Sequence, residues 1–141
     1  MPTQNARSDG STILLADGHP VFGDLAEAYL ASRGYRVRRA RDGRRALAVL
    51  AEQPVLAVVA DLDLEGVDGL ELSATAAQLA PNAPVILVTR DAGAAAWDAP
   101  TLEKLRVAAV VQRPCMLGVL ADAIERATRR RAPRPSTVSA A

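Results

Sequence analysis

The fold is decided by residues 55–72, which read VLAVVADLDLEGVDGLEL. The nearly apolar run Val55–Ala60 predicts a strand that is covered on both faces of a sheet. Asp61 follows this run directly, and the loop after it ends in GVDG (residues 66–69) before a helical pattern begins. The stretch therefore predicts a strand, a loop and a helix, with a carboxylate at the carboxyl end of the strand.

Four more aliphatic or β-branched runs flank this unit and alternate with helical patterns. These predicted strands are Thr12–Ala16, Tyr35–Ala40, Pro84–Thr89 and Val107–Gln112. The helices are predicted from Pro20, after Asp42-Gly43, from about Gly69 to Ala80, from about Pro100 to Arg106, and from about Cys115 to Arg130. Five such βα units predict an α/β fold, a flavodoxin-like doubly wound sheet of five parallel strands in the order 2-1-3-4-5. We expect one domain over residues 12–131, with a flexible segment at 1–11 and a flexible basic tail at 132–141.

The composition bounds the class of protein. The chain has 141 residues, half of them apolar, and a single cysteine, which rules out an internal disulfide. No apolar run is long enough to span a bilayer, and the first residues carry no hydrophobic signal region. These features predict a cytoplasmic protein that makes no membrane contact.

The charge is uneven along the chain. Residues 123–141 carry five arginines and one glutamate, whereas the whole chain has a net charge of only +1. Such a tail is typical of a solvated chain end, and the alternative is weak contact with an acidic partner or nucleic acid. Because no aromatic residue interleaves with these arginines, the tail encodes no platform for stacking bases, and a nucleic-acid partner is not expected.

Polar residues stand where the predicted strands end. Asp17 follows the first strand and Asp61 the third, while Thr89 ends the fourth and Arg113 follows the fifth. In a doubly wound sheet the carboxyl ends of the strands form the ligand-binding edge, so these four side chains are expected to converge. A carboxylate pair can hold Mg²⁺, and a hydroxyl and a cation opposite it suit a transferred phosphoryl group.

These segments resemble the receiver domains of bacterial response regulators, over about residues 12–130. The resemblance rests on ILLADGHPVF (residues 13–22), DLDLEGVDGLEL (61–72), PVILVT (84–89) and VVQRPC (110–115). It implies a phosphorelay signalling module and not an enzyme. Asp61 would accept the phosphoryl group from a phosphohistidine of a histidine kinase or phosphotransfer protein. Asp17, Asp61 and the backbone carbonyl of Asp63 would hold Mg²⁺, and Thr89 would bind the phosphoryl oxygen and act as the switch.

Three departures from the family pattern alter this machinery. Gly18 stands where receivers usually carry a second acidic residue, so Mg²⁺ affinity is expected to fall. Arg113 stands where the family has lysine, and its planar fork does not place the charge as an ammonium group does. Val110 lies where many members carry the Tyr or Phe of the switch, so coupling between Thr89 and an aromatic ring is absent.

A fourth departure is Arg90, which replaces a small residue at the entrance to the phosphoryl site. It could bind phosphate, block access or remain a solvated surface side chain. Asp63 and Asp91 lie two residues after Asp61 and Thr89, at positions that tune dephosphorylation in the family. Because these acids stand beside Arg90 and Arg113, we hypothesise that internal ion pairs bridge the pocket and occupy charges that a metal or phosphoryl group would use.

The resemblance favours a stand-alone receiver that acts through a downstream protein target. In the family the output surface is commonly helix four, strand five and helix five, often in a homodimer. The alternative is a pseudo-receiver, a constitutive interaction module that does not cycle with phosphate. A flavin- or nucleotide-binding enzyme on the same fold is disfavoured, because no glycine-rich phosphate loop follows the first strand.

Overall fold

The computed structural model describes residues 11–90, 99–113 and 117–131. Ten elements alternate along them: β1 (Thr12–Ala16), α1 (Pro20–Ser32), β2 (Arg36–Ala40), α2 (Gly43–Glu52), β3 (Ala57–Asp61), α3 (Gly69–Leu79), β4 (Val85–Thr89), α4 (Ala99–Lys104), β5 (Val107–Gln112) and α5 (Leu117–Arg131). The strands form one parallel sheet in the order β2-β1-β3-β4-β5. The predicted fold class and strand order are therefore confirmed.

The sheet is covered by helices on both faces. Side chains that alternate along β1 fall into two separate cores, with Leu14 on one face and Ile13 and Leu15 on the other. Helices α2 and α3 complete the first core, and α1 and α5 complete the second. Every residue of β1, β3 and β4 is buried, which explains why these strands read as continuous apolar runs. Within the described ranges, no helix has both the length and the apolar character needed to cross a membrane.

The third strand differs from its prediction at both ends. It was predicted to end at Ala60, but β3 runs from Ala57 to Asp61, so Asp61 is its last residue. Pro54 has no N–H group for a ladder, and the parallel register with β1 begins only where Ala57 lies opposite Ile13. This shift puts the carboxylate on the sheet itself, and the backbone of Asp61 pairs with Val88 of β4.

The fourth helix is shorter than predicted. Helix α4 ends at Lys104, and Arg106 takes a left-handed backbone conformation with a φ of 63°. A non-glycine residue in that region ends the helical turn, and β5 begins directly after it. Residues 1–10 and 132–141, most of the predicted flexible ends, lie outside the described residues, as do Asp91 and the predicted start of the last helix at Cys115.

Helix caps fix the loops at the carboxyl edge of the sheet. His19 Nδ1 accepts a hydrogen bond from the Phe22 N–H at the start of α1. Asp42 caps α2 and Asp68 caps α3 in the same way, each through a carboxylate oxygen. These side chains satisfy N–H groups that a helix start otherwise leaves unpaired. Each cap sets the residue at which a loop of this edge becomes a helix.

Candidate functional site

Four buried polar residues meet at the carboxyl edge of the sheet. Asp17, Asp61, Thr89 and Arg113 are respectively 1%, 6%, 3% and 7% exposed. The backbone N–H of Arg113 donates to the Thr89 carbonyl oxygen at 2.6 Å, which ties the end of β5 to the end of β4. Buried polar groups of this kind are retained where they are paired or where they bind a ligand. The edge that the sequence predicts as the site is therefore the part of the sheet where buried charge accumulates.

Asp61 is held by its own loop and by a cation. Its Oδ1 accepts a hydrogen bond from the Asp63 N–H at 3.0 Å and lies 3.6 Å from Nη2 of Arg113. Both side chains of this ion pair are 8% exposed, so solvent screens it little. Asp63 itself is exposed, and its carboxylate lies at the rim. An ion pair therefore crosses the pocket between Arg113 and Asp61, which is a different pair from those hypothesised for Asp63 and Asp91.

Asp17 has one satisfied and one unsatisfied carboxylate oxygen. Its Oδ1 accepts the His19 N–H at 2.7 Å, whereas Oδ2 is buried and has no hydrogen-bond partner within the described residues. Burial raises the pKa of Asp17 above its ordinary value of 3.8, and the charge of Asp61 raises it further. The His19 N–H and the guanidinium groups of Arg113 and Arg39 lower the pKa in opposition.

We expect Asp17→Asn to raise the free energy of unfolding at neutral pH by about 1 kcal/mol. A raised pKa means that the folded state binds the proton more tightly than the unfolded chain, so ionisation of Asp17 destabilises the fold above that pKa. The penalty disappears as the pH falls through the raised pKa towards 3.8, and the advantage of the variant shrinks with it. Urea unfolding across this pH range measures the effect. The exposed Asp122→Asn is the control, and a pH-independent difference at residue 17 would contradict the prediction.

Gly18 occupies a position with no room for a side chain. A Cβ there would lie 2.7 Å from the carbonyl oxygen of Arg41, just beyond the end of β2. The half-buried Arg39 holds this turn in place: its Nε donates to the Asp17 carbonyl at 2.8 Å and its Nη2 to the His19 carbonyl at 3.2 Å. At the position where a second acid is missing, the Arg41 carbonyl therefore leaves no space for a Cβ.

Arg113 is oriented by contacts on two sides. Its Cζ lies 5.4 Å from the centroid of the Phe22 ring, a cation–π distance, and its Nη2 lies 3.6 Å from Oδ1 of Asp61 in an ion pair on another side. Two of its nitrogen atoms, Nε and Nη1, are buried without a hydrogen-bond partner among the described residues. The guanidinium group is thus fixed in position and only partly satisfied.

The other predicted site residues lie at the margin. Arg90 is exposed and forms no ion pair with any carboxylate in the described ranges, while its carbonyl oxygen accepts from Gln112 at 3.3 Å. Val110 is half-buried against the core next to α2 and α3. Asp91, the remaining predicted residue, lies outside the described part of the chain.

A pocket of about 520 Å³ opens above Asp61. Its charged lining balances: the arginines are Arg41, Arg45, Arg90 and Arg113, and the acids are Asp42, Asp61, Asp63 and Glu65. Sequence reasoning missed Arg41 and Arg45, although the run RDGRR (residues 41–45) directly follows β2 and so falls at the same edge. The rim of the pocket therefore carries more positive charge than the strand-end residues alone predict.

The residues at this edge include carboxylate oxygens that could hold a divalent cation. The unpartnered Oδ2 of Asp17 fits a cation, and Asp61 is close enough for its charge to raise the pKa of Asp17. Magnesium keeps several waters and needs only one or two carboxylates. Across the described residues, however, no group of three or more His, Cys, Asp or Glu side chains comes together as a metal-holding cluster.

The fold and the buried acid–cation edge define a class, the receivers of two-component signalling. A family model described as the response regulator receiver domain matches residues 13–125. The chain therefore belongs to that family.

Its relatives include sensor kinases and transcriptional regulators. The sensor histidine kinase RcsC of Salmonella typhimurium is 34% identical over 95 residues, which are 65% of this chain and 10% of that protein. The transcriptional regulatory protein GlrR of Escherichia coli is 32% identical over 121 residues, 86% of this chain and 27% of that protein. A CheY-like receiver domain protein from Methanospirillum hungatei superposes with a TM-score of 0.75 at 21% identity, over 86% of this chain and 96% of that one. The chain thus matches only a tenth to about a quarter of these two curated relatives.

Proposed function

We propose that this receiver accepts a phosphoryl group on Asp61 and changes a protein-interaction surface in response. A carboxylate oxygen of Asp61 attacks the phosphorus of a phosphohistidine, the P–O bond forms as the P–N bond breaks, and the imidazole leaves with the electron pair. The observation that carries the proposal is the buried carboxylate of Asp61 beside the buried guanidinium of Arg113, with a pocket above them.

The neighbouring residues supply binding and charge. Arg113 neutralises charge on the phosphoryl oxygens, since a guanidinium group forms strong hydrogen bonds to phosphate. The Thr89 hydroxyl donates to a phosphoryl oxygen, and the 2.6 Å backbone bond to Arg113 lets a shift at either residue reach the other. Exposed Arg90 and the rim acid Asp63 modulate access and the rate of dephosphorylation.

Magnesium supports this reaction weakly. Members of this family typically bind Mg²⁺ at the phosphorylation site, where the ion neutralises charge on the phosphoryl oxygens. We assign Asp17, Asp61 and the Asp63 carbonyl to the ion. Gly18 contributes no carboxylate, and Arg113 already stands against Asp61, so the affinity is expected to be lower than with a second acid in place.

Acetyl phosphate with Mg²⁺ tests this function, because a small acyl phosphate needs no cognate kinase. The expected result is one added phosphoryl group by intact mass, none on Asp61→Asn, and full labelling of the exposed-site control Asp122→Asn. Labelling that survives Asp61→Asn would move the phosphoacceptor elsewhere.

The Arg113–Asp61 pair also favours a second candidate, a pseudo-receiver that acts without phosphorylation. Arg113 and Asp61 already neutralise each other in the buried pair. Phosphorylation of Asp61 would take from Arg113 the carboxylate with which it pairs. Beryllofluoride with Mg²⁺ separates the two functions, since it occupies the site of a phosphorylated aspartate. Shifts of the Thr89 and Arg113 amide resonances that vanish in Asp61→Asn support the switch, and unchanged spectra support the pseudo-receiver.

We propose a histidine kinase or phosphotransfer protein as the donor, and a protein target or second copy of this chain at the output surface. That surface comprises α4, β5 and α5, where Ala108 is exposed and Val119 is 51% exposed. Apolar side chains on the outer strand and helix are suited to contact with a protein. Sedimentation velocity of phosphorylated and unphosphorylated samples tests the homodimer, and an identical monomer in both would exclude it.

A further inference from the structure

Basic side chains concentrate in one segment of the chain, residues 33–45. This segment has seven arginines and one aspartate, a net charge of +6, whereas the whole chain carries +1. The rest of the chain therefore has a net charge of −5. The segment comprises the α1–β2 connection, all of β2 and the first turn of α2. Positive charge this localised on an otherwise acidic chain attracts acidic partners.

The acids of the fold neutralise only part of this charge. Arg38 and Arg39 form ion pairs with acids of α2 and α1. Within residues 11–90, 99–113 and 117–131, Arg36, Arg41 and Arg44 are exposed and pair with no carboxylate. Arg44 also lies in the first turn of α2, where the helix dipole disfavours a cation. Stability of the fold therefore does not account for these three arginines.

Strand β2 is an edge strand with one open side, which we call the β2 edge. The Arg36 N–H donates to the chain just before β1 at 3.0 Å, and the Ala40 carbonyl accepts from the residue just after β1 at 2.9 Å. Because alternate residues of a strand face the same neighbour, the backbone groups of Val37 and Arg39 point away from β1. No strand in the described part of the chain lies on that side.

Space for another chain lies beside the amino-terminal half of the β2 edge. A cavity of about 580 Å³ there is lined by Tyr35, Arg36, Val37 and Arg38, among others. A partner strand as long as β2 would extend roughly 17 Å. Its backbone would bond to the outward groups of β2, and its alternate side chains would lie beside the arginines, as in other cases of strand addition.

The charge of the β2 edge determines which strand can pair with it. A second copy would place arginines opposite arginines, and like charges across a ladder are destabilising. Charged side chains on an edge strand commonly protect a protein from such self-association. An acidic strand is the partner for which the same arginines are favourable instead, because its carboxylates lie opposite unpaired cations.

We propose that the β2 edge binds an acidic, extended segment of a partner protein as an added strand. The backbone of the segment bonds to Val37 and Arg39, and its carboxylates pair with the exposed Arg36 and Arg44. None of these contacts uses the Asp61 carboxylate, so the interaction requires no phosphorylation.

The probe is a short fluorescent peptide that alternates glutamate with valine, since valine favours strands. Fluorescence anisotropy measures its affinity, and amide hydrogen exchange locates the contact. At saturating peptide, exchange at the Val37 and Arg39 amides is expected to slow by about tenfold. The Arg38 amide already faces β1 and serves as the internal control, with little change expected. Binding without protection of Val37 and Arg39 would overturn strand addition.

Matched probes separate strand addition from attraction between opposite charges. The same peptide with N-methylated backbone nitrogens keeps its charge but loses its hydrogen-bond donors, and is expected to bind about tenfold more weakly. Equal affinity for the two peptides would contradict the proposal. Duplex DNA tests nucleic acid as the alternative, and tighter binding of DNA than of the peptide would also contradict it.

Charge-matched variants test the arginines. Arg36→Gln combined with Arg44→Gln is expected to weaken peptide binding by about tenfold. Arg126→Gln combined with Arg129→Gln removes the same charge from the exposed face of α5 and is expected to leave the affinity unchanged. All four side chains are exposed, so both double variants are expected to fold. Equal loss in the two would reduce the effect to net charge and overturn the assignment to the β2 edge.

Discussion

Gly43→Ala is expected to lower the free energy of unfolding by about 3 kcal/mol. Gly43 is the first residue of α2, and a Cβ there would lie 2.3 Å from the carbonyl oxygen of Val67 and 2.7 Å from its backbone nitrogen. The Gly43 N–H also donates to the Glu65 carbonyl at 2.9 Å. Because the clash is with backbone on both counts, no rotamer change relieves it, and α2 must separate from the β3–α3 loop.

Urea unfolding measures this loss, and Gly118→Ala is the matched control. At Gly118 in α5 the nearest atom to an added Cβ is the Tyr29 hydroxyl at 3.7 Å, an ordinary contact. Alanine in a helix there is expected to add about 0.5 kcal/mol of stability. If Gly43→Ala has wild-type stability, the distance between α2 and the β3–α3 loop is larger in solution than the 2.3 Å clash at Val67 requires. The loop follows Asp61, so Gly43→Ala is also expected to slow phosphorylation.

The fold could be predicted from the sequence because its pattern is local. The runs Thr12–Ala16 and Val107–Gln112 coincide with β1 and β5, the helix start at Pro20 is confirmed, and the helix predicted after Asp42-Gly43 begins at Gly43 itself. Hydrophobic periodicity, proline and glycine indicate the local conformation of the residues that carry them. Five successive βα units then predict a doubly wound parallel sheet. Two boundaries are wrong by two residues: Val55 and Leu56 are apolar but precede Ala57, the first residue of β3 in register with β1, and the fourth helix ends before Arg106, which takes a left-handed conformation.

The contacts within the site could not be predicted in the same way. Strand ends place Asp17, Asp61, Thr89 and Arg113 at one edge, and the structure brings them together there. The approach of the Arg41 carbonyl to Gly18 depends instead on how β2 ends against the β1–α1 turn. Packing between segments that are distant in sequence leaves no local pattern in the sequence. From the sequence, Gly18 therefore indicates only that the second carboxylate is absent.

Gly18→Asp, which restores the second acid, is expected to raise Mg²⁺ affinity by roughly tenfold, or about 1.4 kcal/mol, and to destabilise the fold. The added carboxylate joins Asp17 and Asp61 at the metal edge, and its charge favours a divalent cation. Its Cβ, however, would lie 2.7 Å from the Arg41 carbonyl oxygen, so the turn or the end of β2 must move. We expect this movement to lower the free energy of unfolding by about 1–3 kcal/mol in the absence of metal.

Gly18→Ala separates the two effects, because it introduces the Cβ without the charge. It is expected to lose the same stability as Gly18→Asp while its Mg²⁺ affinity stays at the wild-type value. Isothermal titration with Mg²⁺ and urea unfolding in EDTA measure the two quantities independently. If Gly18→Asp gained affinity at no loss of stability, the Arg41 contact would not constrain residue 18. If it lost stability and gained no affinity, Asp17 and Asp61 would not be the carboxylates that hold the metal.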